Sequence, residues 1–182
     1  MTKINLLHLT LILLMYNCNL TFSQDSTSNN QKAYDVVQKS MKAFLDSIPS
    51  EMLQNYGVNS KSEIDNATIG NPIAVYSLYK DSMVFTDTWR VPLVINDDYK
   101  ALFTVFKNKD NEYKIVEFGA TILAHDIYLE NRNVKLKGLL RVNELRKHYF
   151  ITDNINGVSE FRSIPNLGKQ KMVLKDIITE TK

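Results

Sequence analysis

Cysteine is nearly absent: Cys18 is the only one in 182 residues. A single thiol forms no internal disulfide and supplies neither a redox pair nor a Cys-based zinc set. Glycine is scarce and scattered, at Gly57, Gly70, Gly119, Gly138, Gly157 and Gly168, so no Gly-rich loop exists to cradle phosphate. A large excess of charge of either sign is missing too. The formal balance of +2 gives no general attraction toward nucleic acid or anionic membranes. No GxSxG elbow, HExxH pair or EF-hand loop occurs.

One long apolar run is present, and it stands at the N-terminus. Lys3 is followed by the apolar stretch Ile4 to Tyr16, then by a polar segment containing Thr21 and Ser23. The run is shorter than the roughly 20 residues a membrane span needs. Small residues at −3 and −1 suit signal peptidase, so cleavage after Ser23 and export as a soluble protein are expected. The alternative is a lipid anchor on Cys18, with Asn17 standing where lipoprotein signals carry a small residue. No transmembrane segment is expected after the signal, and the site is periplasmic or extracellular. Three divisions follow: residues 1–23 as signal peptide, 24–30 as a polar disordered leader and 31–182 as one α+β domain.

The domain opens with a helical pattern. Tyr34, Val37, Met41, Phe44, Leu45 and Ile48 recur at spacings of three and four, with Asn29 or Asn30 as cap and Pro49 as terminator. Two shorter helical pieces follow, stopped by Gly57 and Gly70. From Ile73 the period becomes two. Strands are expected over Ile73–Tyr79, Met83–Asn96, Tyr99–Lys107 and Glu112–Phe118, joined by tight polar turns into an antiparallel meander. A second helix is expected from Ala120, with Leu123, Ala124, Ile127 and Tyr128 on one stripe. Two further strands, an Asn156–Gly157 hairpin turn and a tail of open conformation complete the chain. The fold class is α+β: an N-terminal helix on an antiparallel sheet, a helix after the fourth strand, then more strands.

Within the second strand, alternation puts Trp89, Val91, Leu93 and Ile95 on one face and Arg90, Pro92 and Val94 on the other. Proline donates no ladder hydrogen bond, so Pro92 implies an edge, a bulge or an unpaired stretch. An edge there is a recognition surface for a partner strand, or is blocked against one. The segments "IGNPIAVYSL", "WRVPLVI", "ALFTVFK" and "YKIVEFG", in that order, resemble small exported bacterial domains of the cystatin-like or peptidase-propeptide kind. The resemblance spans Ile69 to about Tyr128. It implies a helix laid across an antiparallel sheet, serving as an inhibitor, a pro-segment or an accessory module.

Candidate chemistry is sparse. His125 adjoins Asp126, but neighbouring helical residues project about 100° apart and pair poorly. His148 suits a strand entry, and Asp97 with Asp98 suits a hairpin turn better than a calcium loop. Arg132, Lys135, Lys137, Arg141, Arg146 and Lys147 outweigh Glu130 and Glu144, a local basic excess suited to an acidic partner. No catalytic, metal-binding or cofactor-binding residue is assigned, and no cofactor is expected. The expected function is an exported, non-enzymatic protein-binding module, a peptidase inhibitor or accessory domain. Its recognition residues are Trp89, Arg90, Pro92, Lys135, Lys137 and Arg141. Two alternatives stand beside it: a hydrolase or small-ligand enzyme around His125, Asp126, Tyr128 and Arg132, and a structural envelope component or lipoprotein.

Overall fold

A computed structural model describes residues 27–153, 159–164 and 171–181. The expected export signal, Cys18, the expected hairpin turn at Asn156 and Gly157, and Pro165 lie outside them. Helix α1 covers residues 27–46. Its stripe of Ala33, Val37, Met41 and Leu45 is buried, as the spacing requires. The helix starts inside the segment expected as disordered leader. The reason is polar anchoring rather than apolar burial: Asn30 Oδ1 accepts a hydrogen bond from the Trp89 indole (2.7 Å), and Asn29 Oδ1 accepts one from the Tyr113 hydroxyl (2.7 Å). A 3-10 helix, Ser50–Tyr56, and α2, Lys61–Asp65, complete this layer. The latter ends at Asn66, and the chain then forms β1, Thr68–Ile69, which periodicity did not reveal.

The meander comprises β2 (Ile73–Tyr79), β3 (Ser82–Ile95), β4 (Asp98–Lys107) and β5 (Tyr113–Gly119). Each pairs antiparallel with the next. One face carries Trp89, Val91, Leu93, Ile95, Phe103 and Val105 into the core beneath α1. Phe44 closes this core edge-on against Phe103 and Phe118, with ring centroids 5.7 and 5.3 Å away.

Pro92 is a correction to the edge expectation. It lies buried inside the sheet, opposite Leu102 of β4. Its carbonyl accepts the Gly70 N–H at 2.9 Å on the other side. The proline nitrogen points the same way, into the break between β1 and β2, where no strand carbonyl waits for a donor.

After β5, helix α3 (Thr121–Asn131) crosses the opposite face of the sheet. It enters through Ala120, whose φ of 53° makes an abrupt corner. Eleven residues extend about 16 Å at ~1.5 Å per residue. That length, with short flanking loops, carries the chain back over strands spaced ~4.8 Å apart. Strand β6 (Leu136–Val142) is thereby delivered parallel to β2, the only parallel pair among the described strands. Strands β7 (Lys147–Asp153) and β8 (Ser159–Ile164) continue antiparallel, giving the order β5-β4-β3-β2-β6-β7-β8. The tail resolves as helix α4, Leu174–Glu180. It sets Ile177 among Leu140, Val142, Tyr149, Ile151 and Phe161. Among the described residues, no helix is long and apolar enough to cross a membrane.

Candidate functional site

The face carrying α3 is only partly covered. Helix α3 packs Ala124 and Ile127 onto Leu102, Leu139 and Phe150, and beyond them the outward positions turn polar. Two cross-strand rows result. The first joins Arg90 on β3, Thr104 on β4 and Glu117 on β5, each directly opposite the next. The second joins Ser77 on β2, Arg141 on β6 and His148 on β7, again in register. Thr86, Thr88 and Asn143 complete the polar lining. Val75, Leu139 and Leu123 supply the apolar surface, and together they enclose a cavity of about 290 Å³.

Two bulges frame this cavity. Opposite the Val75–Tyr76 step, β3 carries Thr86 and Asp87 as extra residues, with Asp87 at φ 51°. Opposite the Thr104–Val105 step, β5 carries Val116 as an extra residue. Bulges twist a strand locally and re-aim side chains. Here Thr86 donates to the Val75 carbonyl at 2.8 Å and Thr88 to the Thr86 carbonyl at 3.0 Å. Both hydroxyl protons are spent on backbone, and the side chains are fixed.

The first row is locked. Glu117 Oε2 accepts from Arg90 Nη1 at 2.8 Å and from Thr104 Oγ1 at 2.9 Å, and Arg90 also donates to Thr104. The Thr104 hydroxyl first, and then the Arg90 charge, hold the Glu117 carboxyl below the ordinary carboxylate range. Burial foremost, followed by the Arg141 and Arg90 charges, holds the half-buried His148 imidazole below its ordinary value. Arg141 differs from Arg90. Its guanidinium has no ion pair or hydrogen bond among the described residues, although its field reaches both Glu117 and His148.

The residues nominated from sequence therefore divide. Arg90 and Arg141, nominated for unrelated reasons, line one cavity. Trp89 is 1% exposed and belongs to the core under α1, and Pro92 is buried in the sheet, so neither forms a recognition surface. Lys135 is exposed, and Lys137 is the bulged residue of β6, paired with Asp153 at 2.8 Å. Lys147 pairs with Glu180 at 3.1 Å, and Arg132 lies over the Tyr128 ring at 5.7 Å, so the basic run is dispersed rather than one face. Sequence reasoning missed Ser77, Thr88, Thr104 and Glu117. The available signal was a polar residue at the outward position of every successive strand.

His125 stands apart from the cavity. Its side chain is 58% exposed, with Nδ1 4.0 Å from Asp98 Oδ1, and Asp98 pairs with Lys100 at 2.8 Å. Tyr128 and Arg132 line a separate shallow cleft with Asp97 and Tyr99, and His125 is not part of its wall. Among the described residues, no group of three or more His, Cys, Asp or Glu is placed to hold a metal ion. Comparison with known protein families, curated proteins and solved structures returns no match for this chain.

Proposed function

We propose that the protein is an exported, non-enzymatic binding module that recognises a partner protein through the polar cavity on the α3 face of its sheet. The observation that carries this is the Arg141 guanidinium, without a hydrogen bond or ion pair among the described residues, set beside a wall of immobilised side chains. Fixed groups lose little freedom on binding, which favours recognition. Catalysis fits the same site poorly. Glu117 is committed to Arg90 and Thr104, and its lowered pKa removes it from general-acid work at neutral pH. Val116 and Ile122, chain neighbours of the cavity residues Glu117 and Leu123, are exposed apolar side chains. They favour a protein partner over a free solute. The resemblance to inhibitor and accessory domains points the same way.

The test is site-specific photocrosslinking in the native envelope. A photoreactive residue at the rim position Asn143 should capture a discrete partner, while one at Gln38 on the exposed side of α1 should not. Equal capture from both positions, or none from Asn143, would refute the assignment of the cavity.

A further inference from the structure

We infer that the group received by the cavity is a carboxylate, bound by Arg141 and His148 beside the Arg90–Glu117 ion pair. This rests on the cavity being the recognition site, and it adds the chemistry of what enters. The charge balance comes first. Arg90 and Glu117 cancel each other in a direct contact of 2.8 Å. Arg141 has no ion pair of its own among the described residues, so the lining carries one net positive charge, to which the neutral imidazole of His148 adds none. A site of net single charge matches a monoanion, whereas a phosphate dianion would leave negative charge half buried.

Register supplies the second argument. Arg141 and His148 are directly opposed on β6 and β7. Directly opposed cross-strand side chains stand ~5 Å apart at Cβ, close enough for one small ligand to touch both. Arg90 reaches the same imidazole from β3. The two oxygens of an entering carboxylate meet the planar guanidinium on one side and a ring N–H on the other. Size agrees as well. About 290 Å³ sits at the small end of ligand pockets. The apolar surface of Val75, Leu123 and Leu139 suits the short stem of an acidic side chain or of a small aliphatic acid.

The pH response follows from the neighbours. The imidazole faces Arg141 from β6 and Arg90 from β3, while Glu117 lines the cavity from β5. From β2 comes Ser77, from α3 Leu123 and from β8 the paired Ile164, none of them charged. Burial and the two arginines hold the ring neutral. A bound carboxylate opposes those effects and favours the protonated ring, so by linkage its affinity rises as pH falls through the His148 range.

The experiment is nuclear magnetic resonance of the full chain, with His148 imidazole nitrogens as reporters. The probes are sodium butyrate, inorganic phosphate, and an end-blocked peptide containing one Glu together with its Gln counterpart. Butyrate or the Glu peptide should move the His148 signals, with affinity higher at pH 6 than at pH 8. Arg141→Gln should weaken binding by about tenfold or more, the worth of one charge-assisted hydrogen bond. His148→Gln should abolish the pH dependence. Stronger binding of the Glu peptide than of butyrate identifies a protein side chain as the source of the carboxylate, and equal binding identifies a free acid. Binding of phosphate alone, or equal binding of the Glu and Gln peptides, overturns the carboxylate. Silence from every probe while Asn143 still crosslinks a partner overturns the carboxylate and leaves the recognition site standing.

Discussion

Replacing Gly138 by alanine probes the seam on which the cavity depends. Gly138 lies where β6 closes in parallel on β2. A Cβ added there would stand 2.8 Å from Tyr76 Cε2, 2.9 Å from the Ala74 carbonyl oxygen and 3.2 Å from Tyr76 Cδ2. Comfortable contact begins near ~3.5 Å, so relief requires more than half an ångström of movement. The Tyr76 ring can swing, but the Ala74 oxygen belongs to backbone of β2 and moves only with its strand. Overpacking of this kind costs about 1–3 kcal/mol, and reduced freedom of the unfolded chain returns about 0.4–1 kcal/mol. The expected net loss is roughly 1–2 kcal/mol. For a domain of this size that lowers Tm by about 2–8 °C. The same shift separates Val75 from Leu139, which face each other across the seam and line the cavity. Calorimetry of Gly138→Ala therefore should show a lower Tm, together with a changed environment of the His148 ring. A neutral or raised Tm would mean that β2 and β6 do not approach this closely, and the cavity geometry would fall with that seam.

Three further outcomes follow from contacts elsewhere. Arg162 Nη1 meets Glu130 Oε1 at 2.6 Å, with side chains 18% and 6% exposed, tying β8 to α3. Arg162→Met should destabilise by about 3 kcal/mol, the low end for a buried pair losing one partner, and combining it with Glu130→Leu should recover most of that in urea titrations. Burial, then the Glu180 carboxylate, pushes the Tyr149 phenol up to about 12. A raised folded-state pKa means its contribution is intact below pH ~10 and is lost as pH rises through ~12. Denaturant midpoints measured between pH 9 and 12 should fall in the native chain and fall less in Tyr149→Phe. Asn30→Ala leaves the buried Trp89 N–H without its partner and should cost about 1–3 kcal/mol. Unfolding followed by the fluorescence of this single tryptophan checks it.

Local periodicity carried the core. The inward positions Trp89, Val91, Leu93 and Ile95 are buried, as alternation requires, and so is the α1 stripe. The helix after β5 also stands where the change of period placed it. Of the three settings that Pro92 allows, the unpaired stretch is the one observed; a missing donor looks the same at an edge as beside a break in the neighbouring strand. Asn29 and Asn30 read as leader because their contribution comes from partners on β3 and β5, far along the chain. The candidate site was illegible for a related reason. Nothing in a period of two says that β6 will return beside β2, so Arg90 and Arg141 looked like separate surface features. Single outward threonines likewise look like ordinary solvent contacts, strand by strand.

What distinguishes this polar surface from a merely solvated one is the kind of residue used. A face turned to water is served by long, mobile side chains of both signs, whose ion pairs contribute little. The cavity wall is instead built from short hydroxyls. Thr86 and Thr88 are pinned to strand carbonyls, and Thr104 is buried between Arg90 and Glu117. Burying a hydroxyl within a sheet is unfavourable unless it is satisfied, and that of Thr104 is, by Arg90 and Glu117. Apolar residues at the same positions would have let α3 extend over a fully dry face, as it already does above Leu102 and Phe150. The fold forgoes that burial, keeps α3 short and holds at the opening the exposed Arg141, which has no hydrogen bond or ion pair among the described residues. An arrangement less stable than its apolar equivalent, yet rigid, is what a preformed binding site requires.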